Sequence, residues 1–443
     1  MNLPKVFLNR MKEQLGEEFP SFLESYGLPP VRGLRVNTLK LEPGEFLSVC
    51  PWELEENPLL EEGFILRGAE GVGRHPYHIA GAFYVQEPSA MSAIAACGAG
   101  PGGLRVLDMC AAPGGKAGGA AARMQGSGLL VANEIVPKRA QLLARNLERL
   151  GAVNACVTCE RPDRIAGALP GFFDIVTVDA PCSGEGMFRK DPGAIAEWSP
   201  EHVSACAQRQ RLILESAAEC TAEGGAIVYS TCTFSPEENE RVIEDFLNAH
   251  AEFSQEFSER LYPHRIVGEG HFVCRLRKAG SGRSSAVPTI CGINRGPVKE
   301  LAERTFSEIV EGGLQGVLFE QNGRVRMLPQ GVPEVLLKLR PVSLGTELGE
   351  IRKGRLEPSH SFFMAAHGRK YLRELVFDPD DPLITEFLSG NTLPCPEEWR
   401  GFAAVSVRAG AKTLPIGFGK AVQGVLKNRL PKGLYMNNSE RNA

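Results

Sequence analysis

The chain has 443 residues, and at ~150 residues per domain this length favours about three domains. An apolar fraction of 43% and a charged fraction of 23% exclude a disordered chain, and the formal net charge of −4 excludes a bulk basic field, so a nucleic-acid surface would have to be a local patch. No run of ~18 uncharged apolar residues occurs and twelve cysteines are too few for a disulfide scaffold, so we expect a cytoplasmic protein with reduced thiols.

In chain order, the sequence divides into four regions. Residues 1–95 mix short helices with extended segments and begin with an amphipathic helix rather than a signal peptide. Residues 96–280 alternate strand-like apolar runs with helices. A stretch rich in Gly, Ser and Pro at 279–297 is typical of a linker or long loop, and the remainder to residue 443 is a mixed region with many short strands.

The second region is the most regular part of the sequence. Because strands and helices alternate there, we expect an α/β fold with a parallel sheet, helices on both faces, and ligands at the carboxyl ends of the strands. A capping box at Ser235–Glu238 predicts one further helix after the last strand. The predicted strands are 104–108, 129–134, 155–158, 173–179 and 225–230, and the predicted helices are 116–125, 137–150 and 199–220.

The first predicted strand runs into a glycine-rich turn, residues 108–116, which opens onto a helix. The turn has neither the dinucleotide-binding nor the Walker glycine spacing. Glycines there let a ligand approach the backbone, and free amides at the start of a helix favour a carboxylate or a phosphate. A tight strand-to-helix turn without any ligand is the alternative.

Acidic residues follow the next two strands. Glu134 ends the second strand about 20 residues after the glycine turn, where an acid commonly accepts hydrogen bonds from a ribose diol. Glu160 and Asp163 follow the third strand, where either could meet an adenine amine, although a surface role for Glu160 is equally compatible with the pattern. The arrangement predicts an adenosine-containing cofactor, and both NAD and S-adenosylmethionine fit it.

Two cysteines lie where the ligand-binding edge is expected. Cys182 comes just after Asp179 and the fourth strand, and Cys232 follows the fifth strand. A thiol in such a turn can ionise and act as a nucleophile. Cys156 and Cys159 have zinc-like spacing but no second pair of ligands, and no histidine falls in a metal or catalytic pattern, so neither a metal nor histidine chemistry is indicated. Packing is the expected role of Cys50, Cys97, Cys206, Cys220, Cys274, Cys291 and Cys395.

Three motifs occur together and in order, Asp108–Lys116 (DMCAAPGGK), Asp179–Gly184 (DAPCSG) and Ser230–Cys232 (STC). Together they resemble the Sun-type RNA (cytosine-5)-methyltransferases, and three motifs in order are far more specific than any one of them. The resemblance implies a Rossmann-like class I methyltransferase sheet.

Further segments resemble the bacterial RsmF-like branch of that family. They are residues 33–40, 83–90 and 268–272, while 417–433 resembles the PUA-like RNA-binding module of that branch. The implied domains are a small α+β RNA-binding domain (1–95), an S-adenosylmethionine-dependent methyltransferase domain (96–280), a linker and intermediate domain (281–350) and a PUA-like RNA-binding domain within a mixed C-terminal part (351–443).

The function implied by the resemblance is methyl transfer from S-adenosylmethionine to carbon 5 of cytosine in small-subunit (16S) ribosomal RNA. Because this carbon is a poor nucleophile, a thiolate must first add to C6, and the resemblance assigns that step to Cys232. It assigns product release to Cys182, and it gives Asp179 the role of holding the N3/N4 edge of the base. Lys190 is a further candidate for orienting the base. The implied cofactor-binding residues are Cys110, Ala111, Ala112, Pro113, Gly114, Gly115, Lys116, Glu134, Glu160 and Asp179.

A local basic patch lies near the end of the chain. Between residues 411 and 435 there are five cations and no acid, which is adequate for phosphate contacts, although a solvated basic tail would have the same composition. Four further cations are expected near the catalytic mouth, and two aromatic side chains are expected either to stack on an extruded base or to pack in the core. The patch is Lys412, Lys420, Lys427, Arg429 and Lys432, the other cations are Arg35, Lys40, Arg189 and Lys190, and the aromatic residues are Phe188 and Trp198.

Several alternatives remain open. The substrate could be a transfer RNA or another RNA, whereas a methyltransferase for a small molecule or protein would leave the cysteines and the basic patch unexplained. A non-catalytic RNA-binding factor for ribosome assembly would not need Asp179, Cys182 and Cys232, which are all present. A thiol hydrolase is disfavoured because no histidine lies near either cysteine motif. We expect a monomer, since no apolar heptad stripe is evident, with neither a metal nor a membrane partner.

Overall fold

The computed structural model describes residues 3–281, 286–314, 316–365 and 368–436. The N-terminal part contains helices α1 (Lys5–Leu15), α2 (Phe19–Ser25), α3 (Pro43–Val49) and α4 (Pro76–Ile79), and strands β1 (Arg32–Val36), β2 (Leu54–Glu56), β3 (Gly63–Leu66) and β4 (Phe83–Gln86). The strands form an antiparallel sheet in the order β2-β3-β1-β4, which we call the N-terminal sheet. Helix α1 is the predicted amphipathic helix, because Phe7, Met11 and Leu15 bury its one apolar face.

The following part has the predicted alternation of strands and helices. Helix boundaries follow local signals: Pro137 opens the helix that ends before Gly151, and the Ser199 hydroxyl accepts a hydrogen bond from the His202 amide at the start of the longest helix. The elements are α5 (Ser92–Cys97), β5 (Arg105–Asp108), α6 (Gly115–Arg123), β6 (Leu129–Asn133), α7 (Pro137–Leu150), β7 (Ala155–Thr158), α8 (Pro162–Ala168), β8 (Phe173–Asp179), α9 (Pro192–Glu197), α10 (Pro200–Cys220), β9 (Thr221–Thr231), α11 (Glu240–Ala249), β10 (Phe253–Leu261) and β11 (His271–Lys278).

The C-terminal half is made of short strands with few helices. Its first part has α12 (Pro297–Ser307), β12 (Val317–Gln321), β13 (Arg324–Leu328), β14 (Pro341–Leu344), β15 (Thr346–Arg352), β16 (Arg355–Pro358) and α13 (His360–Met364). Its last part has β17 (Glu374–Phe377), α14 (Pro382–Leu388), β18 (Leu393–Pro394), β19 (Gly401–Ala409), β20 (Lys412–Val422) and β21 (Val425–Asn428).

The central sheet has eight strands in the order β10-β11-β9-β8-β5-β6-β7-β14. Its five parallel strands, β9, β8, β5, β6 and β7, are the five predicted ones, so the predicted parallel α/β sheet is confirmed. Three antiparallel strands complete it, and β14 comes from far along the chain to pair with β7. The carboxyl ends of the parallel strands meet at one edge, where ligands bind in such sheets.

The predicted capping box is wrong. Helix α11 begins at Glu240, and Asn239 precedes it without a side-chain cap. Glu238, the expected capping acid, is fully buried and instead accepts hydrogen bonds from Ser183, which lies in the turn after β8. The segment after β9 therefore turns toward the sheet edge before the helix starts.

Two smaller sheets lie in the C-terminal half. One has the order β12-β13-β15-β16, and the other has the order β17-β19-β20-β21-β18. The last sheet shares an apolar core with the N-terminal sheet, in which Phe46 and Tyr77 pack with Phe387 and Val407. No helix in the described part of the chain has both the length and the apolar character that a membrane crossing requires.

Candidate active site

Both motif cysteines and the motif aspartate lie at the carboxyl edge of the central sheet. Asp179 is the last residue of β8, and its Oδ1 accepts a hydrogen bond from the Ser230 hydroxyl at 2.9 Å. Cys182 lies in the turn after β8, Cys232 lies directly after β9, and their Sγ atoms are 3.3 Å apart. The structure thus brings a carboxylate and two sulfurs, 50 residues apart in sequence, to one point.

The turn that carries Cys182 is tied to the turn that carries Cys232. The Gly186 amide donates to the Cys232 carbonyl at 2.8 Å, and the Ala180 amide donates to the Ser230 carbonyl at 2.9 Å. A Cβ atom at Gly186 would lie 2.9 Å from the Gly270 carbonyl oxygen and 3.0 Å from that of Cys232, so only glycine allows this close approach. Gly186 therefore allows the close approach of the two turns.

Cys182 is held as a thiol. Its contact with Cys232, followed by burial, keeps the pKa of the Cys182 thiol well above its usual range. A protonated sulfur 3.3 Å from the other sulfur can donate a proton to it.

Asp179 forms an ion pair with Lys116. The Lys116 Nζ lies 2.8 Å from Asp179 Oδ2. Burial by itself would lower the pKa of Lys116, but the attraction of Asp179 outweighs burial and raises it. Burial likewise opposes ionisation of Asp179, yet the charge of Lys116 and the hydrogen bonds from Lys116 and Ser230 hold the pKa of Asp179 below its usual value. The pair is therefore charged at neutral pH.

Asp108 is the last residue of β5, the strand next to β8 in the sheet. It is buried, and no described residue donates a hydrogen bond of ordinary geometry to either of its oxygens. Burial, with repulsion from Asp179, raises the pKa of Asp108 to about 7. The edge of the sheet thus contains one carboxyl group with a lowered pKa, Asp179, and one with a raised pKa, Asp108.

The glycine-rich turn passes from β5 into α6. Gly114 precedes the helix at φ 112°, a conformation that favours glycine, and α6 starts without a side-chain cap. Arg139 Nη2 donates to the Ala112 carbonyl at 3.0 Å, and Asn146 Nδ2 donates to the Pro113 carbonyl at 2.8 Å. Helix α7 thereby fixes the turn while the first amides of α6 remain uncapped.

Glu134 and Glu160 follow β6 and β7 at the same edge. Both are buried, with Glu134 Oε1 accepting from the Val136 amide at 2.9 Å and Glu160 Oε1 accepting from the Arg161 amide at 3.0 Å. Asp163 is exposed and forms an ion pair with Arg161 at 2.7 Å. The two buried glutamates, rather than Asp163, are thus held next to their strand ends.

His271 is a site residue that the sequence analysis missed. It begins β11 next to β9, is buried, and places Nε2 3.9 Å from Asp179 Oδ1. Burial, with repulsion from Lys116, lowers the pKa of His271 to about 3, so the ring is neutral. No histidine lies near the cysteine motifs in the sequence, but His271 lies near them in space, because the antiparallel pairing of β11 with β9 returns the chain to the site.

The expected RNA-facing roles of Arg35 and Lys40 are wrong. Arg35 is fully buried, and its Nη2 donates to the Gly115 carbonyl at 3.1 Å. Lys40 is buried, and its Nζ donates to the carbonyl oxygens of Ala80 at 2.6 Å and Arg149 at 3.1 Å. Both cations connect the N-terminal sheet to the helices of the central sheet.

Arg189 and the two aromatic candidates are also internal. Arg189 pairs with Glu269 at 2.6 Å in a buried ion pair, so it is not free to contact RNA. Phe188 is fully buried, with its ring centroid 5.2 Å from that of Phe7, and Trp198 Nε1 donates to Glu185 at 2.8 Å. Of the two expectations for these rings, core packing is the correct one. Lys190 keeps a partly exposed side chain, with Nζ 3.8 Å from Glu269.

The basic patch lies on strands β20 and β21 and the segment that follows them. Lys412 is paired with Glu45 of the N-terminal part at 2.7 Å, and Lys420 lies over the Phe402 ring at 5.2 Å. Lys427, Arg429 and Lys432 are exposed. These last three are the part of the patch most open to a polyanion.

The cysteine pair with zinc-like spacing is buried. The Cys159 thiol donates to the Ile135 carbonyl at 3.5 Å, and burial raises the pKa of Cys156, in β7, to about 12. Within the described ranges no three His, Cys, Asp or Glu side chains are grouped so as to hold a metal ion.

A mixed sheet with a doubly wound parallel centre and an uncapped glycine turn after β5, flanked by an N-terminal sheet and a C-terminal five-stranded sheet, defines a Rossmann-like α/β protein with added domains. The sequence matches the family described as 16S rRNA methyltransferase RsmB/F over residues 101–277. It also matches the N-terminal domain of 16S rRNA methyltransferase RsmF over 3–88, the RsmF rRNA methyltransferase first C-terminal domain over 305–365 and the methyltransferase RsmF PUA domain over 374–436.

The chain belongs to the RsmF family and is an enzyme of the methyltransferase class. It is 32% identical to the ribosomal RNA small subunit methyltransferase F of Serratia proteamaculans (strain 568), covering 98% of this chain and 96% of that protein. Identity to the protein of the same name from Escherichia coli O17:K52:H18 is 31%, covering 97% and 96%.

Two solved structures from Pyrococcus horikoshii share the fold. A methyltransferase homolog protein is 29% identical with a TM-score of 0.56, covering 62% of this chain and 95% of that one. The structure of NSun6 with SFG has the same TM-score of 0.56 at 21% identity, covering 63% of this chain and 99% of that one.

Proposed function

We propose that this protein transfers a methyl group from S-adenosylmethionine to carbon 5 of a cytosine in 16S ribosomal RNA, through a covalent bond between Cys232 and C6 of the base. The observation that carries the proposal is the 3.3 Å separation of the Cys182 and Cys232 sulfurs at the sheet edge that also holds Asp179. The substrate is inferred from the relatives, which are named for the RNA of the small ribosomal subunit.

S-adenosylmethionine supplies an electrophilic methyl group when bound, and the residues present fit it. The uncapped first turn of α6 offers main-chain amides to its carboxylate. We assign the ribose diol to Glu134 and the adenine amine to Glu160, because both acids directly follow strands at this edge. We assign the remaining wall of this site to the turn Cys110–Lys116.

Asp179 activates the base. Lys116 keeps the carboxylate ionised, so it can accept hydrogen bonds from the N4 amine and from N3 once N3 is protonated. Stabilising the N3–H form withdraws electrons from the ring and makes C6 more electrophilic.

Cys232 makes and breaks the covalent bond. Its thiolate forms a bond to C6, the ring electrons move toward C5, and N3 takes up a proton. C5 then bonds to the methyl carbon, and the donor sulfur keeps the bonding pair. Loss of the C5 proton to a base expels the Cys232 sulfur, and the N3 proton leaves, which restores the ring. Cys182, held as a thiol, donates its proton to the departing sulfur 3.3 Å away.

The test combines bisulfite sequencing with labelling in vitro. We expect at least one cytosine of 16S RNA to resist deamination in cells that carry the gene and to become sensitive in cells that lack it. Purified protein should transfer tritium from methyl-labelled S-adenosylmethionine to 16S RNA or to small subunits. Transfer to tRNA in place of 16S RNA would contradict the substrate, and a labelled base other than 5-methylcytosine would contradict the chemistry.

A further inference from the structure

The carboxylate of Glu238 lies between the two turns that carry Cys182 and Cys232. It is fully buried, although it is in neither cysteine motif. Its Oε2 accepts from the Ser183 amide at 2.9 Å, and its Oε1 accepts a very short hydrogen bond from the Ser183 hydroxyl. Ser183 directly follows Cys182, so this carboxylate fixes the first turn on both its main chain and its side chain.

The same carboxylate reaches the second turn. The Thr233 hydroxyl, on the residue directly after Cys232, lies 3.5 Å from Glu238 Oε1 and 2.9 Å from the Ser183 hydroxyl. Ser183, Thr233 and Glu238 therefore form one hydrogen-bonded group that joins the residue after one cysteine to the residue after the other.

Helix α10 and strand β9 anchor this group to the rigid part of the sheet. Gln210 Nε2 donates to Glu238 Oε2 and to the Pro181 carbonyl, both at 3.0 Å, so it brackets Cys182 from the other side. The Tyr229 hydroxyl donates to the main-chain carbonyl of Glu238 at 2.6 Å. A side chain held by packed elements can hold a loop within a fraction of an ångström.

A buried carboxylate is expensive unless donors surround it. Burial raises the pKa of Glu238 to about 7, against the effect of the Ser183 and Gln210 hydrogen bonds. An apolar side chain would fill this space without that cost, but it could not connect the two turns.

We propose that Glu238 is a positioning residue that sets the separation of the Cys182 and Cys232 sulfurs. It makes no hydrogen bond to either sulfur in the described part of the chain, and it acts on their separation through its hydrogen bonds to Ser183 and Thr233. The inference rests on the proposed function only in that both cysteines act on the same cytosine. The juxtaposition itself can be measured without RNA or cofactor.

The experiment measures how fast the two thiols can be joined. Diamide takes two electrons and two protons from a pair of thiols and leaves a disulfide, and peptide mass mapping counts the Cys182–Cys232 product. We expect Glu238→Ala to slow this capture by about tenfold or more, because a displacement near 1 Å has large effects on reactions between fixed groups. Glu238→Gln keeps the shape of the side chain but replaces one acceptor oxygen by an amide group, so its rate of disulfide formation should be intermediate. This variant replaces Glu238→Ala in the test if the alanine variant does not fold.

Glu62→Gln is the matched control. Glu62 is also a buried carboxylate, but it pairs with Arg123 at 2.7 Å away from both cysteines, and its variant should be captured at the wild-type rate. In the methylation assay Glu238→Ala should lower kcat by about 100-fold while KM for the methyl donor stays constant.

Two results would overturn the inference. One is that Glu238→Ala, shown by its melting temperature to be folded, forms the Cys182–Cys232 disulfide at the wild-type rate. The other is that Glu62→Gln slows disulfide formation as much as Glu238→Ala does. If capture depends on Glu238 but the wild-type protein makes no 5-methylcytosine, the positioning role stands and the proposed function fails.

Discussion

Two lysines in different regions, one half-buried and one buried, show how a nearby opposite charge changes the pKa of a lysine. At the sheet edge Lys116 lies 2.8 Å from Asp179, and the ion pair raises its pKa despite burial. Beside the N-terminal sheet Lys40 donates to two main-chain carbonyl oxygens, and burial lowers its pKa to about 7. The first lysine keeps an aspartate charged where chemistry is proposed, and the second is a connector at the end of α7. Residue type alone does not separate the two roles.

The largest effect should come from the sulfurs at the sheet edge. Cys232→Ala should lower methyl transfer by at least about 10⁴-fold, because the covalent route is lost. Cys182→Ala should instead accumulate a covalent protein–RNA adduct, visible as a band of low mobility on a denaturing gel. An adduct formed by Cys232→Ala would reverse the two assignments.

Removing the charge beside Asp179 tests the first half of the comparison. Lys116→Met should lower kcat by roughly 100-fold while the melting temperature changes little, because Asp179 loses the cation that holds its pKa down. Since Asp179 then titrates at higher pH, the acid limb of the profile of kcat against pH should move to higher pH. An unchanged pH profile would show that Lys116 does not control Asp179.

Glu134 tests whether the buried acids at this edge bind the cofactor. Glu134→Ala should weaken S-adenosylmethionine binding by about tenfold or more, as expected for lost hydrogen bonds to a charged acceptor. Asp163→Ala is the control, because Asp163 is exposed and pairs with Arg161. Isothermal titration compares the two variants, and a loss from Asp163→Ala as large as that from Glu134→Ala would contradict the assignment of the ribose contact to Glu134.

The lysine without a counter-charge among the described residues, Lys40, can be tested through the pH dependence of the free energy of unfolding. Its folded pKa near 7 lies below that of the unfolded chain, so the unfolded state binds more protons in the interval between the two values. The contribution of Lys40 to the free energy of unfolding must therefore rise with pH above 7 and is smallest below it.

Urea unfolding over about pH 6 to 10 measures this effect as the difference between wild type and Lys40→Met. The difference should increase with pH, whereas the same substitution at exposed Lys12 should give a constant one. Methyl transfer per folded molecule should persist in Lys40→Met, and its loss would place Lys40 in the site after all.

The smallest effect is expected on the basic patch. Lys427→Ala and Arg429→Ala should each weaken RNA binding modestly and lower the slope of log affinity against log salt by about 0.7 to 0.9 if each contacts one phosphate. Lys412→Ala should change the slope less, because that ammonium is already paired with Glu45. Filter binding at several salt concentrations separates these outcomes, and a wild-type slope for both Lys427→Ala and Arg429→Ala would exclude the exposed pair as phosphate contacts.

The central sheet could be predicted because each parallel strand is a short apolar run bounded by glycine, proline or an acid. The same logic located Asp179, Cys182 and Cys232, since residues after parallel strands share one edge. Strand β14 gave no such signal, because nothing in a four-residue segment indicates which distant strand it pairs with.

The errors share a physical cause. Arg35 and Lys40 look like RNA contacts in the sequence, but long side chains also reach across interfaces to carbonyl groups, and only the fold decides between water and protein as their partner. Glu238 matched a capping pattern that depends on local spacing, whereas its actual donors come from a turn 55 residues away. His271 depended on the antiparallel return of β11, which local spacing does not reveal.

The pairing of β14 with β7 makes the C-terminal half part of the catalytic architecture. A fragment that stops after β11 would expose the main-chain groups of β7 that now bond to residues 341–344. Unpaired strand edges recruit other strands, so such a fragment would tend to self-associate. Evolution can therefore change the last domains of this chain by substitution more easily than by deletion.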